Sequence, residues 1–204
     1  MMLHTKIAAP AVLEDTVLRG MFAARKAVFV DLLKWQVPVI DGQYEIDQFD
    51  DEQATYLVVA DPSGQHLAST RLLPTLRPHI LGDLYPDLCE AAPVRSAQAF
   101  EITRFCLDRA LSARERRHAR NQLVQALTSH ALEHGITTYV AIAEMGWFQQ
   151  ILAFGWRCLP LGLPRRLGGD LLIAFRIEID AATPAKLAAA GILSDALQLP
   201  SKAA

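Results

Sequence analysis

Several arginine and carboxylate side chains of this chain stand inside or beside strongly apolar stretches. Arg25 lies between Phe22 and Phe29, Arg71 in Ala68-Ser69-Thr70-Arg71-Leu72-Leu73, and Glu101 and Arg104 in Phe100–Phe105. A charge placed there is costly unless it is paired or holds a charged ligand. Asp47 and Asp50 stand three residues apart with Phe49 between them. Two carboxylates and an aromatic ring suit a cationic ligand, such as a sulfonium next to an ammonium; the plain alternative is a solvated acidic loop capped by its own turn. Arg25 reads either as a snorkelling surface arginine or as a ligand group. In a strand, Ser69, Arg71 and Leu73 share one face, and Glu101 shares its face with Thr103 while Arg104 points opposite. An arginine such as Arg71 on a half-buried strand usually pairs with a carboxylate. That pairing is either a structural cross-strand salt bridge or a polarised site, with a carboxylate as base or orienter and arginines for a substrate carboxylate.

Other polar residues carry less. His130 and His134 sit four apart on a predicted helix, but the run is not HExxH and has no third ligand in view, so a solvated face accounts for them and no metal is expected. Cys106 and Cys158 read as core thiols, and Ser63 and Ser69 lack a nucleophile-elbow setting. Arg114, Arg116, Arg117, His118 and Arg120 form a basic run at the start of a helix, where the helix dipole disfavours positive charge. It is either a solvated helix start or a surface for an acidic partner.

The elements that must position these groups follow from periodicity. Residues 11–34 carry a helical apolar stripe, and residues 34–53 break it with Pro38, Gly42 and five acidic residues from Asp41 to Asp51, predicting a functional loop. Residues 54–60 and 66–73 read as strands joined by Asp61-Pro62-Ser63-Gly64. Four prolines keep residues 74–97 irregular. A strand is predicted over 99–107, a helix over 113–134 ended by Gly135, a strand over 136–143 and a helix over 147–154. Further strands follow over 157–161 and 171–179 around Gly168-Gly169, with a short helix near Pro184. This order predicts a mixed central sheet flanked by helices, an α/β (α+β) three-layer sandwich in one domain over 1–204, with its core at about 11–180 and a variable tail from 181.

With 204 residues, 51% hydrophobic and 21% charged, the chain suits one domain with a full core. Its net charge of −2 gives no global drive towards nucleic acid or anionic membrane. Three scattered cysteines without a CxxC pair fit a reducing cytoplasm. No signal peptide is evident, and no apolar run approaches the roughly 20 residues of a membrane span.

Taken in order, Arg25, Phe29, Trp35, Asp47-x-Phe49-Asp50, Arg71 and Glu101-x-Thr103-Arg104-Phe105 resemble the pattern of the acyl-homoserine-lactone synthases, the autoinducer synthases of bacterial quorum sensing. The resemblance covers roughly residues 20–160; Thr103 stands where serine is common and keeps the hydroxyl. It implies a fold like that of the CoA-dependent N-acetyltransferases, although residues 108–117 hold no glycine for a tight pyrophosphate cradle. It also implies that S-adenosylmethionine is a substrate and that no prosthetic group is needed. The acyl chain would come from acyl carrier protein or coenzyme A. The amine would attack the thioester, and the carboxylate would then displace methylthioadenosine to close a lactone.

On that resemblance Glu101 is the catalytic carboxylate or the holder of a catalytic water, with Arg25 or Arg104 holding the substrate carboxylate. Phe29, Trp35, Asp47, Phe49, Asp50, Arg71, Thr103 and Phe105 shape the S-adenosylmethionine site. Arg114, Arg116, Arg117 and Arg120 dock an acidic carrier. Val140, Ala141, Ile142, Phe148, Ile151 and Leu152 line the acyl pocket, where Ala141 and Ala143 offer no hydroxyl to a 3-oxo group. The alternatives are an N-acyltransferase acting on another amine and a non-catalytic acyl-carrier-binding domain.

Overall fold

The computed structural model describes residues 1–7 and 15–192. It divides into two compact units: Met1–Arg71 with Arg104–Ala126, and Leu72–Thr103 with Leu127–Leu193.

In the first unit, strand β1 (Met2–Ile7) pairs antiparallel with β4 (Thr55–Ala60), Met2 opposite Ala60 and Ile7 opposite Thr55. The sequence reading did not anticipate β1, an edge strand with little apolar alternation to mark it. β4 and the following β5 (His66–Pro74) are buried almost throughout, the signature of strands covered on both faces. Of the helix predicted over 11–34, residues 11–14 lie outside the described residues. Helix α1 (Thr16–Arg25) starts at Asp15, whose carboxylate accepts from the N–H groups of Val17 (2.9 Å) and Leu18 (3.2 Å). Its inward stripe is Leu18, Met21, Phe22 and Arg25, so the arginine occupies a core position.

From Lys26 to Leu32 the helix widens into π geometry, with Leu33 N–H donating to the Val28 carbonyl at 2.9 Å. The segment predicted as a loop after it holds a small hairpin, β2 (Val39–Ile40) and β3 (Tyr44–Glu45). It turns at Asp41 and Gly42, whose φ values of 52° and 67° suit those two residue types.

The second unit is built on β7 (Thr138–Glu144). The start of β6 (Ala99–Leu107) pairs with it in parallel from Ala99–Thr138 to Ile102–Ala141, and β10 (Asp170–Glu178) pairs antiparallel on the other side. β8 (Arg157–Pro160) and the unanticipated β9 (Arg165–Leu167) flank β10, the latter through a turn at Gly168-Gly169. Hydrogen-bonded neighbours follow the order β1-β4-β5-β6-β7-β10-β8, with β9 on β10. The helices match their predicted places: α2 (Ala113–His134) ends before Gly135 at φ 67°, α3 is Met145–Leu152, and α4 (Thr183–Ala189) has Pro184 in its first turn. This is the mixed sheet with flanking helices that the element order predicts.

Two details place side chains. β6 buries Ala99, Glu101 and Thr103, then Cys106, so its alternation slips by one residue. Arg104 sits at the slip with φ 52°, left-handed backbone that a non-glycine residue adopts at a cost of about 1–3 kcal/mol. In the sheet, side chains of register partners share a face. Glu101 faces Val140, and Ile142 faces Ala174, on one side; Ile102 and Phe175 face Ala141 on the other.

Candidate functional site

The first unit gathers Arg25, Arg71, Arg104, Glu45, Asp47 and Asp50 into one network. Arg25 is 1% exposed; its Nε donates to Glu45 Oε2 at 2.6 Å, and its two terminal nitrogens grip both Asp50 oxygens at 2.8 Å each. Arg71 holds Asp47 through two bonds, 2.7 and 3.1 Å, and lies 2.8 Å from Asp50 Oδ1. Arg104 bridges the remaining carboxylates, 2.9 Å from Glu45 Oε1 and 2.7 Å from Asp47 Oδ2. Fork-to-fork arginine pairs are the strong, directional kind, and burial makes each partner necessary to the others.

Three guanidinium groups meet three carboxylates, so these six groups sum to zero charge. The backbone joins in: the N–H of Asp47 donates to Asp50 and that of Phe49 to Asp47, each at 2.8 Å. Burial works to raise the Asp50 pKa, but the Arg25 and Arg71 guanidinium groups outweigh it and hold that carboxyl well below the usual carboxylate range. Burial likewise opposes the charge on Arg25, and Asp50 and Glu45 reverse that effect, raising its pKa.

Aromatic rings border the network. Phe29 and Trp35 stack at 4.7 Å, and the Arg104 guanidinium lies 5.6 Å from each ring centroid. Phe49 is buried, 5.9 Å from the Arg71 guanidinium. Trp35 is 40% exposed and, with Val30, Lys34, Gln36, Val37 and Pro38, lines an open groove of about 470 Å³. Solvent reaches the network at Arg104 and Asp47, which are 9% and 7% exposed, whereas Arg25, Arg71, Glu45 and Asp50 are sealed.

Sequence reasoning missed two members of this set. Glu45 was visible only as one of five acids in the loop, and the β3 strand that turns it inward was not predicted. Tyr56, whose hydroxyl donates to Asp50 at 2.8 Å, looked like an ordinary strand aromatic. Arg104 alternates in burial with Glu101 and Thr103 as expected; what the sequence did not mark is the left-handed residue there, after which the buried position moves from 105 to 106. The snorkelling alternative for Arg25 does not hold, since its side chain is buried to the tip.

In the second unit Glu101 is 1% exposed, and its two oxygens accept the N–H groups of Ile80 (2.7 Å) and Leu81 (2.9 Å). A carboxylate held this way is fixed in place and retains lone pairs for a proton. Thr103 is buried on the same strand, and Phe105 is half-buried beyond the slip.

The six acyl-pocket candidates do not share one wall. Val140 and Ile142, on the Glu101 face of β7, pack with Leu81, Leu88 and Ala174. Ala141 points to the other face with its partner Phe175, against which Phe148 of α3 packs at 4.9 Å. Ile151 is buried on α3, and Leu152 is 47% exposed. At the start of α2, Arg114 and Arg117 are exposed, and Arg116 and Arg120 are half-buried. Ser112 and Glu115 form a reciprocal capping box there, with Ser112 N–H and hydroxyl donating to Glu115 at 2.9 and 2.6 Å. That carboxylate partly offsets the unfavourable placement of the basic run.

Among the described residues no cluster of His, Cys, Asp or Glu is arranged to hold a metal ion, and no helix is long and apolar enough to cross a membrane.

The chain is similar to proteins of known activity in sequence and in fold. An acyl-homoserine-lactone synthase of Rhizobium etli is 36% identical over 156 residues, 75% of this chain and 73% of the relative. The fold superposes on a CoA-dependent acyl-homoserine-lactone synthase solved with S-adenosylmethionine and isopentyl-CoA, with TM-score 0.81, 26% identity, and 97% and 95% of the two chains covered. A Lactobacillus plantarum protein assigned to the N-acetyltransferases, at TM-score 0.58 and 18% identity over 88% of this chain and all of that one, shares the fold alone. The family model for autoinducer synthases matches residues 10–187, and on that match the chain belongs to the autoinducer synthase family.

Proposed function

We propose that the protein acylates the amine of S-adenosylmethionine from an acyl thioester and closes the product to an N-acyl homoserine lactone, releasing methylthioadenosine. The observation that carries this reading is the neutral arginine–carboxylate network with its solvent edge at Arg104, Asp47 and the Phe29–Trp35 stack. S-adenosylmethionine presents a carboxylate, an ammonium and a sulfonium together, and that edge offers a guanidinium, a carboxylate and aromatic faces. Arg25, Arg71, Asp50, Glu45 and Phe49 act beneath it as the frame that keeps Arg104 and Asp47 in place.

An ammonium must lose a proton before it can attack a carbonyl. Glu101 takes that proton, directly or through a water, and the freed amine attacks the thioester with expulsion of the thiol. The second step needs no acid. The α-carboxylate attacks the carbon bearing the sulfonium, the carbon–sulfur bond breaks, and methylthioadenosine leaves as a neutral thioether while the lactone ring closes. Correct placement of the two reacting groups alone supplies about 7–11 kcal/mol of the barrier reduction.

The acyl chain in this reading lies on the Glu101 face of β7, against Val140, Ile142, Leu81 and Leu88. Ala141, Phe148 and Ile151 support the strand from its other face. On the Glu101 face of β7, Val140 and Ile142 offer no side-chain hydroxyl, which favours an unsubstituted chain. The exposed basic residues at the start of α2, Arg114 and Arg117 with Arg116 and Arg120, dock an acidic acyl carrier protein, and both units act as one synthase domain in the cytoplasm. Purified protein incubated with S-adenosylmethionine and acyl thioesters on either carrier tests the reading. Equal yields of methylthioadenosine and lactone are expected, and amide formation without methylthioadenosine contradicts it.

A further inference from the structure

The segment from Thr75 to Gln98 leaves β5 and returns to β6, and its base is stapled. Thr75 is fully buried; its hydroxyl donates to the Ala99 carbonyl at 3.0 Å and accepts Ser96 N–H at 3.1 Å. The first turn of this loop carries the two N–H groups that hold Glu101, and His79 stands immediately before them. His79 is fully buried, and its backbone N–H donates to Asp83 at 2.7 Å, with Arg95 3.6 Å from the other Asp83 oxygen. Three successive N–H groups, 79 to 81, are thus all committed to carboxylates.

The ring of His79 is tethered separately. Its Nδ1 lies 2.9 Å from the Arg77 carbonyl, which can only accept, so Nδ1 carries the hydrogen. Its Nε2 is buried without a hydrogen-bond partner. A Cβ built on Gly82 would fall 2.6 Å from that nitrogen and 2.4 Å from Cε1, so the ring rests directly on the bare Gly82 backbone. The Gly82 side of that nitrogen is closed. An unpartnered buried acceptor costs stability that an apolar side chain of similar bulk would not. What the imidazole supplies in return is a planar wedge with one fixed hydrogen bond back to the chain.

We propose that His79 is a positioning residue for Glu101: wedged between the Arg77 carbonyl and Gly82, its ring sets the turn whose Ile80 and Leu81 N–H groups aim the carboxylate. The inference rests on the synthase reading for its kinetic consequences and stands apart from it in its structural ones. His79 acts through the backbone of the turn, and none of its contacts involves the arginine network.

Three variants test it. His79→Leu removes the tether, Gly82→Ala pushes the ring off its seat, and His79→Asn restores an N–H at the Nδ1 position. The leucine and alanine variants should lower kcat by about 10²-fold with KM for S-adenosylmethionine unchanged, the effect expected of a misplaced catalytic group. Amides 80 and 81 should lose hydrogen-exchange protection in both, with thermal unfolding showing the remainder folded. The asparagine variant should recover most of kcat and keep the parent's pH profile. Parental kcat in His79→Leu, or intact protection of amides 80 and 81, overturns the proposal. So does a His79→Asn variant that keeps the protection of amides 80 and 81 but has a low residual kcat whose pH profile lacks the parent's acidic limb, which would make the ring itself the proton acceptor. A parent that releases no methylthioadenosine while the amide protection still depends on His79 defeats the synthase reading and leaves the positioning role standing.

Discussion

In the first unit three guanidinium groups and three carboxylates satisfy one another through their side chains. In the second, a single carboxylate, Glu101, is gripped by two backbone N–H groups and borders an apolar cluster of Leu81, Leu88, Val140 and Ala174. The two arrangements solve different problems. A side-chain network cancels its own charge and costs heavily if one member is lost, so it suits a rigid frame for a ligand that carries both signs. A backbone grip fixes a carboxylate in direction while leaving lone pairs for a proton, which suits a base. The comparison predicts that damage to the first region is read in stability and substrate binding, and damage to the second in turnover and acyl preference.

The largest effect should follow from removing Arg25. Arg25→Leu leaves Glu45 and Asp50 without their shared partner in a sealed site and should cost about 3–5 kcal/mol, seen as a lower denaturation midpoint. A shift under about 1 kcal/mol would mean that the network is not the frame of this unit.

Acid should weaken the first unit next. His66 on β5 is 4% exposed, with Nε2 2.8 Å from the Ser69 hydroxyl and Nδ1 unpartnered. Burial pushes its pKa down to about 4, against a weaker opposing pull from Asp108. The folded state therefore binds fewer protons than the unfolded chain between pH 6.5 and 4, and stability falls as pH drops through that window by up to about 3 kcal/mol. His66→Gln should flatten that slope relative to the parent; an unchanged slope would assign it to other groups. His130, also held down to about 4 by burial and by His134, contributes in the same window but is open enough for solvent to screen it.

How far the sequence announced these regions differs in kind. The network was legible because guanidinium and carboxylate groups inside apolar runs demand partners, and Arg25, Asp47, Asp50, Arg71 and Arg104 all stood out. Glu45 and Tyr56 did not, since a two-residue strand and a strand tyrosine carry no signal apart from their tertiary contacts. The left-handed backbone at Arg104 and the π turns after Arg25 were also silent, because no glycine or proline marks them. In the second unit, strands and helices were readable from periodicity, but an acyl-binding wall is made of the same residues as a core. Strand alternation separates Val140 and Ile142 from Ala141; which of the two faces meets Glu101 depends on the parallel register with β6, and only the fold supplies that.

A smaller effect probes the edge of the network. Arg104→Lys keeps one positive charge but cannot span Glu45 and Asp47 or lie flat beside Phe29 and Trp35. KM for S-adenosylmethionine should rise about tenfold, or about 1.4 kcal/mol, in steady-state assays. A normal KM with reduced kcat would move Arg104 from substrate binding into the chemistry.

Acyl preference gives the smallest and most graded readout. Ile142→Ala should shift the preferred chain towards greater length, by about fourfold per methylene at about 0.8 kcal/mol each. Leu152→Ala, on the exposed side of α3, should leave the preference unchanged. Competition among C4 to C12 donors distinguishes the two, and a shift in the second variant alone would place the chain on the opposite face of β7.

The most direct test of the account is turnover by Glu101→Gln at saturating S-adenosylmethionine and acyl thioester, followed as methylthioadenosine release. The amide keeps the shape of the side chain and one oxygen for the backbone grip but cannot take a proton. The account predicts a fall of about 10²–10⁴ in kcat while binding of S-adenosylmethionine is retained. A folded variant that binds S-adenosylmethionine normally and turns over within twofold of the parent would contradict it.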